Sequence, residues 1–182
     1  MQDPPGSIAP DQTFEQACWT SPPDVQSCNQ AALTDIDRAR SSEGLGPLSL
    51  PGGFYNLPVP AQVLAVAHAE RTSRGLPAMP EDAAWDRSAQ AGAAAGSDPT
   101  GPGGYTWDSN YAVGDATALA ADYSWMYDDG PGSQNVDCTP DNRTGCWGHR
   151  HNILSPWPGS AGAGYAMYSG RVSLTELFVE QS

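Results

Sequence analysis

The sequence predicts an α+β fold, loop-rich and held by disulfides, on three observations. Helical stretches occupy the first part of the chain, and its end reads as two strands joined by a turn. Twenty glycines and 17 prolines imply long ordered connections between these elements. Four cysteines fall in two local pairs, Cys18 with Cys28 and Cys138 with Cys146.

Residues 1–28 are polar and proline-rich and read as an arm pinned by the first cysteine pair. Asn29 is the expected cap of a short helix that carries Leu33 and Ile36 on one face and stops at Gly44. Residues 46–60 form an ordered loop, and Pro60 suits the first turn of a helix over 61–74 that Gly75 ends. A further helix over 81–96 carries Trp85 and an alanine–glycine face fit for close packing. Residues 97–114, with Trp107-Asp108-Ser109-Asn110, read as a loop, the kind of segment that carries sites. Asp115 is the expected cap of a helix ending near Tyr127, before the turn Asp128-Asp129-Gly130. Residues 131–147 form a loop around the second cysteine pair, and a short helix follows over 149–154. Strands over 161–168 and 172–180 turn at Ser169-Gly170.

At 182 residues, 39% hydrophobic and 16% charged, the chain fits one globular domain with a sizeable core. Eight basic residues, all arginines, face 21 acidic ones, a formal net charge of -13. Nucleic acid and anionic lipid are both held by basic patches, so neither is an expected partner. Neutral or cationic partners remain. No apolar run approaches the ~20 residues that span a bilayer. The start Met1-Gln2-Asp3-Pro4-Pro5-Gly6 has neither the basic nor the apolar region of a signal peptide and reads as the mature part of an exported protein. Two local disulfides are the economical pairing and imply an oxidising compartment. Zinc is the competing reading, although it prefers tighter cysteine pairs or nearby histidines.

Two features carry chemistry. On the helix over 61–74, Glu70 falls inside the apolar arc between Val63 and Val66, with Arg74 close by. It is either half of an i,i+4 pair with Arg74 or a desolvated acid suited to proton transfer. His68 lies at the edge of that face as a packing or surface residue. The run Gly148-His149-Arg150-His151-Asn152-Ile153-Leu154 holds two of the three histidines, which project in different directions from a helix start and make a poor metal pair. Serine-nucleophile, zinc-helix and phosphate-loop motifs are absent, and bridged cysteines are not nucleophiles. Asn142-Arg143-Thr144 matches a glycosylation sequon.

The order of these pieces resembles secreted bacterial proteins of the CAP superfamily (cysteine-rich secretory, antigen 5, pathogenesis-related 1). The likeness rests on Ala67-His68-Ala69-Glu70-Arg71 through Gly75-Leu76-Pro77, Trp125-Met126, the run 148–154, and Ala161-Gly162-Ala163-Gly164-Tyr165. It covers about residues 61–180, which makes 61–182 a CAP-like domain and 1–60 an N-terminal extension with a short helix. The resemblance implies an α-β-α sandwich and a cavity of two histidines and two glutamates. Its second histidine falls on His149 and one glutamate on Asp128. The other glutamate falls on Ser109, within Asp108-Ser109-Asn110, and Asp98 is the nearest candidate for the first histidine's place. With two of four positions kept in kind, no metal or other cofactor is expected.

The resulting expectation is an extracellular monomer with a cavity built from Glu70, Asp98, Asp128 and His149. Its expected walls are Trp107, Asn110, Tyr111, Trp125 and Trp147. Paired carboxylates and aromatic walls suit acid–base hydrolysis of a neutral polysaccharide, with Glu70 as acid, Asp128 or Asp98 as base or nucleophile, and His149 orienting one of them. The alternative is a non-catalytic module binding a glycan or a small apolar lipid or sterol. Metal-dependent proteolysis is a third option.

Overall fold

The computed structural model describes residues 3–20, 22–157 and 159–180. Among the described residues it contains six α-helices, α1 (Gln12–Cys18), α2 (Val25–Ser42), α3 (Val59–Ser73), α4 (Ala83–Ala95), α5 (Ala118–Met126) and α6 (Gly148–Ile153), and one 3-10 turn over Phe54–Asn56. Three strands, β1 (Trp107–Val113), β2 (Gly159–Tyr168) and β3 (Arg171–Glu180), form one antiparallel sheet in the order β1-β3-β2. The protein is therefore α+β, with disulfides Cys18–Cys28 and Cys138–Cys146. No helix among the described residues is long and apolar enough to cross a membrane.

Local chemistry sets the helix ends. The α2 helix begins at Val25, because the Asp24 carboxylate accepts from the backbone N–H groups of Gln26 and Ser27. The expected cap, Asn29, instead lies inside the helix, whose buried stripe is Cys28, Ala32, Ile36 and Ala39. Pro60 sits in the first turn of α3, and Gly75 leaves that helix at φ 78°. Asp82 caps α4, and Gly96 closes it in the left-handed conformation. Thr117, rather than the expected Asp115, caps α5 by accepting from the Ala120 N–H. Asp115 instead accepts from the Trp19 indole N–H at 2.8 Å.

The sheet carries helices on both faces. On one side α4 lies directly on β2, since a Cβ at Gly162 or Gly164 would land within 2.3 or 2.4 Å of α4 backbone atoms. Ser173 and Thr175 on β3 face the same way and donate their hydroxyls to the carbonyls of Ala93 and Ala89. On the other side Leu174, Phe178, Ala161 and Ala163 join the core shared by α2, α3 and α5. That core runs without a break from Phe14 through Ile36 and Val66 to Phe178, so residues on both sides of position 60 contribute to it. Burial of this set is the main favourable contribution to the fold.

Strand β1 corrects the expectation of a loop over 97–114. Asn110 is its only fully buried residue, so its sequence lacks the apolar alternation of a half-buried strand. Pairing to β3 alone holds it at the sheet edge. The hairpin between β2 and β3 turns on Ser169 and Gly170 at φ 49° and 77°, the left-handed pair that matches strand twist.

Candidate functional site

Glu70 is buried, as its position on the apolar face implies, but it does not line a cleft. Its side chain is fully enclosed. Oε2 takes hydrogen bonds from Arg40 Nη1 at 2.5 Å and from Arg74, and Oε1 accepts the Tyr127 hydroxyl at 2.8 Å. Arg74 continues to Glu43 at 2.8 Å, and Arg150 reaches the same Glu43 at 2.9 Å. Three arginines and two glutamates thus tie α2, α3 and α6 together. Both sequence alternatives for Glu70 change as a result. The Arg74 pair exists but is buried rather than exposed, and the acid has three donors and no room for substrate.

The open cleft lies elsewhere, with a volume of about 480 Å³. The turn after α5 supplies Asp128 and Asp129, the start of α6 supplies His149, and the end of β1 supplies Tyr111, Ala112 and Val113. Trp125 forms its floor, donating its indole N–H to the Tyr111 carbonyl at 3.3 Å. Asp98, Asp115, Asp137 and Arg171 complete the walls. A second hollow of about 430 Å³ adjoins it and shares Asp98, Asp137 and His149. The Cys138–Cys146 bridge pins the loop carrying Gln134, Asn135 and Asp137 along one lip.

At the centre is a histidine–carboxylate dyad. His149 Nδ1 donates to Asp129 Oδ1 at 2.7 Å, leaving Nε2 as the nitrogen free for a ligand. Asp129 has no solvent exposure, and its other partners hold it in place. They are the backbone N–H groups of His149 and Arg150 and the Asn135 amide, the last at 2.6 Å. Burial alone would lower the His149 pKa. The hydrogen bond and charge of Asp129, with help from Asp98 and Asp137, outweigh burial and raise it above its usual value. Asp128 differs from its neighbour. Burial pushes it up to about 7 against a hydrogen bond from Ser7, and the charges of Asp115 and Asp129 push the same way. Burial likewise raises Asp115 to about 6. The cleft therefore holds a carboxyl that exchanges its proton near neutrality and an imidazole whose proton affinity Asp129 raises.

The entry to α6 is strained. Trp147 adopts φ 65°, rare for an aromatic residue, immediately before the helix that carries His149. Its ring lies where a Cβ on Gly130 would be, 2.2 Å from the nearest ring atom, and Arg150 covers it at 5.8 Å. Gly130 is thus required for the Asp128–Gly130 turn to pass beneath the indole.

Of the expected cavity residues, Asp98, Asp128, His149, Tyr111 and Trp125 meet in this cleft. Glu70, Trp107, Asn110 and Trp147 are not among its walls. Asn110 is sealed inside, donating to Glu176 at 3.1 Å and to the His149 carbonyl at 3.3 Å while accepting from Asn152. Trp147 is buried in the strained entry, and Trp107 packs over Gly101 at the sheet edge. Sequence reasoning missed Asp129 as the partner of His149. The adjacent aspartates were visible, but spacing cannot say which one a turn directs at the imidazole.

Among the described residues, no three histidine, cysteine, aspartate or glutamate side chains converge as metal ligands would. Compared with protein-family models, curated proteins and solved structures, the chain has no match.

Proposed function

We propose that this chain is an exported CAP-like domain that hydrolyses a neutral glycan by acid–base chemistry in the Asp128–His149 cleft. One observation carries the reading. An Asp129-anchored imidazole and a carboxyl raised to about 7 line the same aromatic-floored cleft. In this reading Asp128 donates its proton to the leaving glycosidic oxygen, a role that requires an acid still protonated near neutral pH. His149 accepts a proton from the attacking water, while Asp129 holds the imidazole in the correct tautomer and stabilises the imidazolium. Tyr111, partly exposed on the cleft wall, offers a face for a sugar ring. The net charge of -13 disfavours anionic polysaccharides and leaves neutral ones.

The CAP-like assignment draws support from the way distant motif positions converge. Asp98, Ser109 and His149 line one hollow, with the Ser109 hydroxyl 3.4 Å from Asp98, and Asp128 lines the adjoining cleft. The paired disulfides favour an extracellular setting.

Reducing-sugar release from a panel of neutral oligosaccharides tests the proposal. Asp128→Asn and His149→Gln are each expected to lower turnover by about 10²-fold or more. Turnover unchanged in both variants would discard these roles. Saturable retention of a glycan or a sterol without product would replace the enzyme with a binding module.

A further inference from the structure

Trp19 belongs to the N-terminal segment, yet it lines the wall of the Asp128–His149 cleft. It closes the C-terminal end of α1, where its backbone N–H donates to the Glu15 carbonyl at 3.1 Å. The bridge from neighbouring Cys18 to Cys28 fastens that end of α1 to α2. The ring itself is held by two contacts. It meets Phe14, which has no solvent exposure, edge to face, with centroids 5.5 Å apart and planes at 80°. Its indole N–H donates to Asp115 Oδ1 at 2.8 Å, and Asp115 lines the same cleft. With all these ties in place, Trp19 is still partly exposed.

We propose that Trp19 is a substrate-binding residue of this cleft, a rigid stacking platform for one ring of a neutral oligosaccharide. The inference rests on the hydrolase reading above and deepens it by assigning a subsite. An indole clamped by its own N–H and by an edge contact has little rotamer freedom left to lose, so contact with a ligand carries a small ordering cost. Its apolar faces contrast with the rest of the wall, where Asp98, Asp128, Gln134 and Asn135 are polar. A neutral sugar matches that mixture. Its C–H face lies on an aromatic ring while its hydroxyls donate to carboxylates and amides. Tyr111, also partly exposed, is a second ring on the same wall. The bond to Asp115 ties the platform to a carboxylate whose charge reaches Asp128, so the subsite adjoins the acid. The N-terminal segment is thus part of the binding surface, outside the stretch that carries the CAP resemblance.

The test compares Trp19→Ala with Trp19→Phe in the full chain, using cellotetraose, xylotetraose, mannotetraose and N-acetylated chitotetraose. Binding is read by calorimetry in an Asp128→Asn background. Turnover is read in the otherwise unaltered chain, and both are measured well below each variant's melting temperature. Trp19→Ala should weaken binding of whichever tetrasaccharide the parent takes, and raise KM, by about tenfold or more. Its kcat should fall less than about threefold, because a platform holds substrate and transition state alike. Trp19→Phe, which keeps an aromatic face and loses the N–H, should recover most of that loss. A merely structural Trp19 would lower the melting temperature and leave affinity and KM at the parent values. That result overturns the inference while the hydrolase reading stands. Equal losses in the two variants overturn it as well, since the bond to Asp115 and not the ring face would then carry the effect. If the parent neither binds nor cleaves any of the four sugars, the hydrolase reading falls and the subsite falls with it.

Discussion

Replacing Glu70 by glutamine separates its two candidate roles. The side chain keeps its shape but loses its charge, leaving Arg40 without an anionic partner and Arg74 with Glu43 alone. Breaking a buried ion pair from one side costs about 3–5 kcal/mol, because a buried charge is left uncompensated. Arg40 and Arg74 are 2% and 4% exposed, so water cannot make up the loss. For a chain of this length each kcal/mol moves the melting temperature by roughly 2–4 °C, so the variant should melt about 6–20 °C lower. Urea unfolding at 25 °C should show the same loss with an unchanged m-value. Well below the new midpoint, turnover should match wild type, since Glu70 does not line the cleft. A stability loss under about 1 kcal/mol, or lost turnover with an unaltered melt, would refute this reasoning and return Glu70 to the reaction.

Two further outcomes follow from the buried carboxyls and the cleft lip. Burial raises the Glu176 carboxyl to about 8, so the folded chain holds a proton that the unfolded chain releases above its ordinary value of 4.5. The linked stability is complete below that lower value and is lost as pH rises through 8, roughly 4–5 kcal/mol in all. Glu176→Gln should therefore flatten the decline of wild-type unfolding free energy between pH 5 and 8.5, and equal slopes in the two proteins would contradict it. Replacing Cys138 and Cys146 together by serine opens a short loop, with an expected cost of about 2–3 kcal/mol. Weaker glycan turnover at a temperature where the variant stays folded would place the loss at the lip carrying Gln134–Asp137. Unaltered turnover would show that the lip needs no staple.

Local chemistry made part of this fold legible. Asp82 and Gly96 frame α4, and Ser169-Gly170 marks the hairpin, because caps and left-handed turns depend on the residues at the spot. The start of α2 was ambiguous, since Asp24 and Asn29 are both good caps and only packing selects the longer helix. Strand β1 was illegible for a different reason. Its buried contact is a polar Asn110 bonded to Glu176, and no apolar period announces it. Glu70's inward direction could be read from helix geometry, whereas its partners Arg40 and Tyr127 lie 30 and 57 residues away and only the tertiary fold supplies them. The same limit hid the link from His149 to Asp129, because the choice between Asp128 and Asp129 depends on backbone conformation in the turn.

The most direct measurement is the pH dependence of neutral-glycan cleavage in wild type, Asp128→Asn, His149→Gln and the double variant. A coupled donor and base predict a bell-shaped profile, loss of one limb in each single variant, and a double variant no slower than the worse single. Cleavage that is flat across pH 5–9 in wild type, or losses that multiply in the double variant, would contradict a shared proton relay in this cleft.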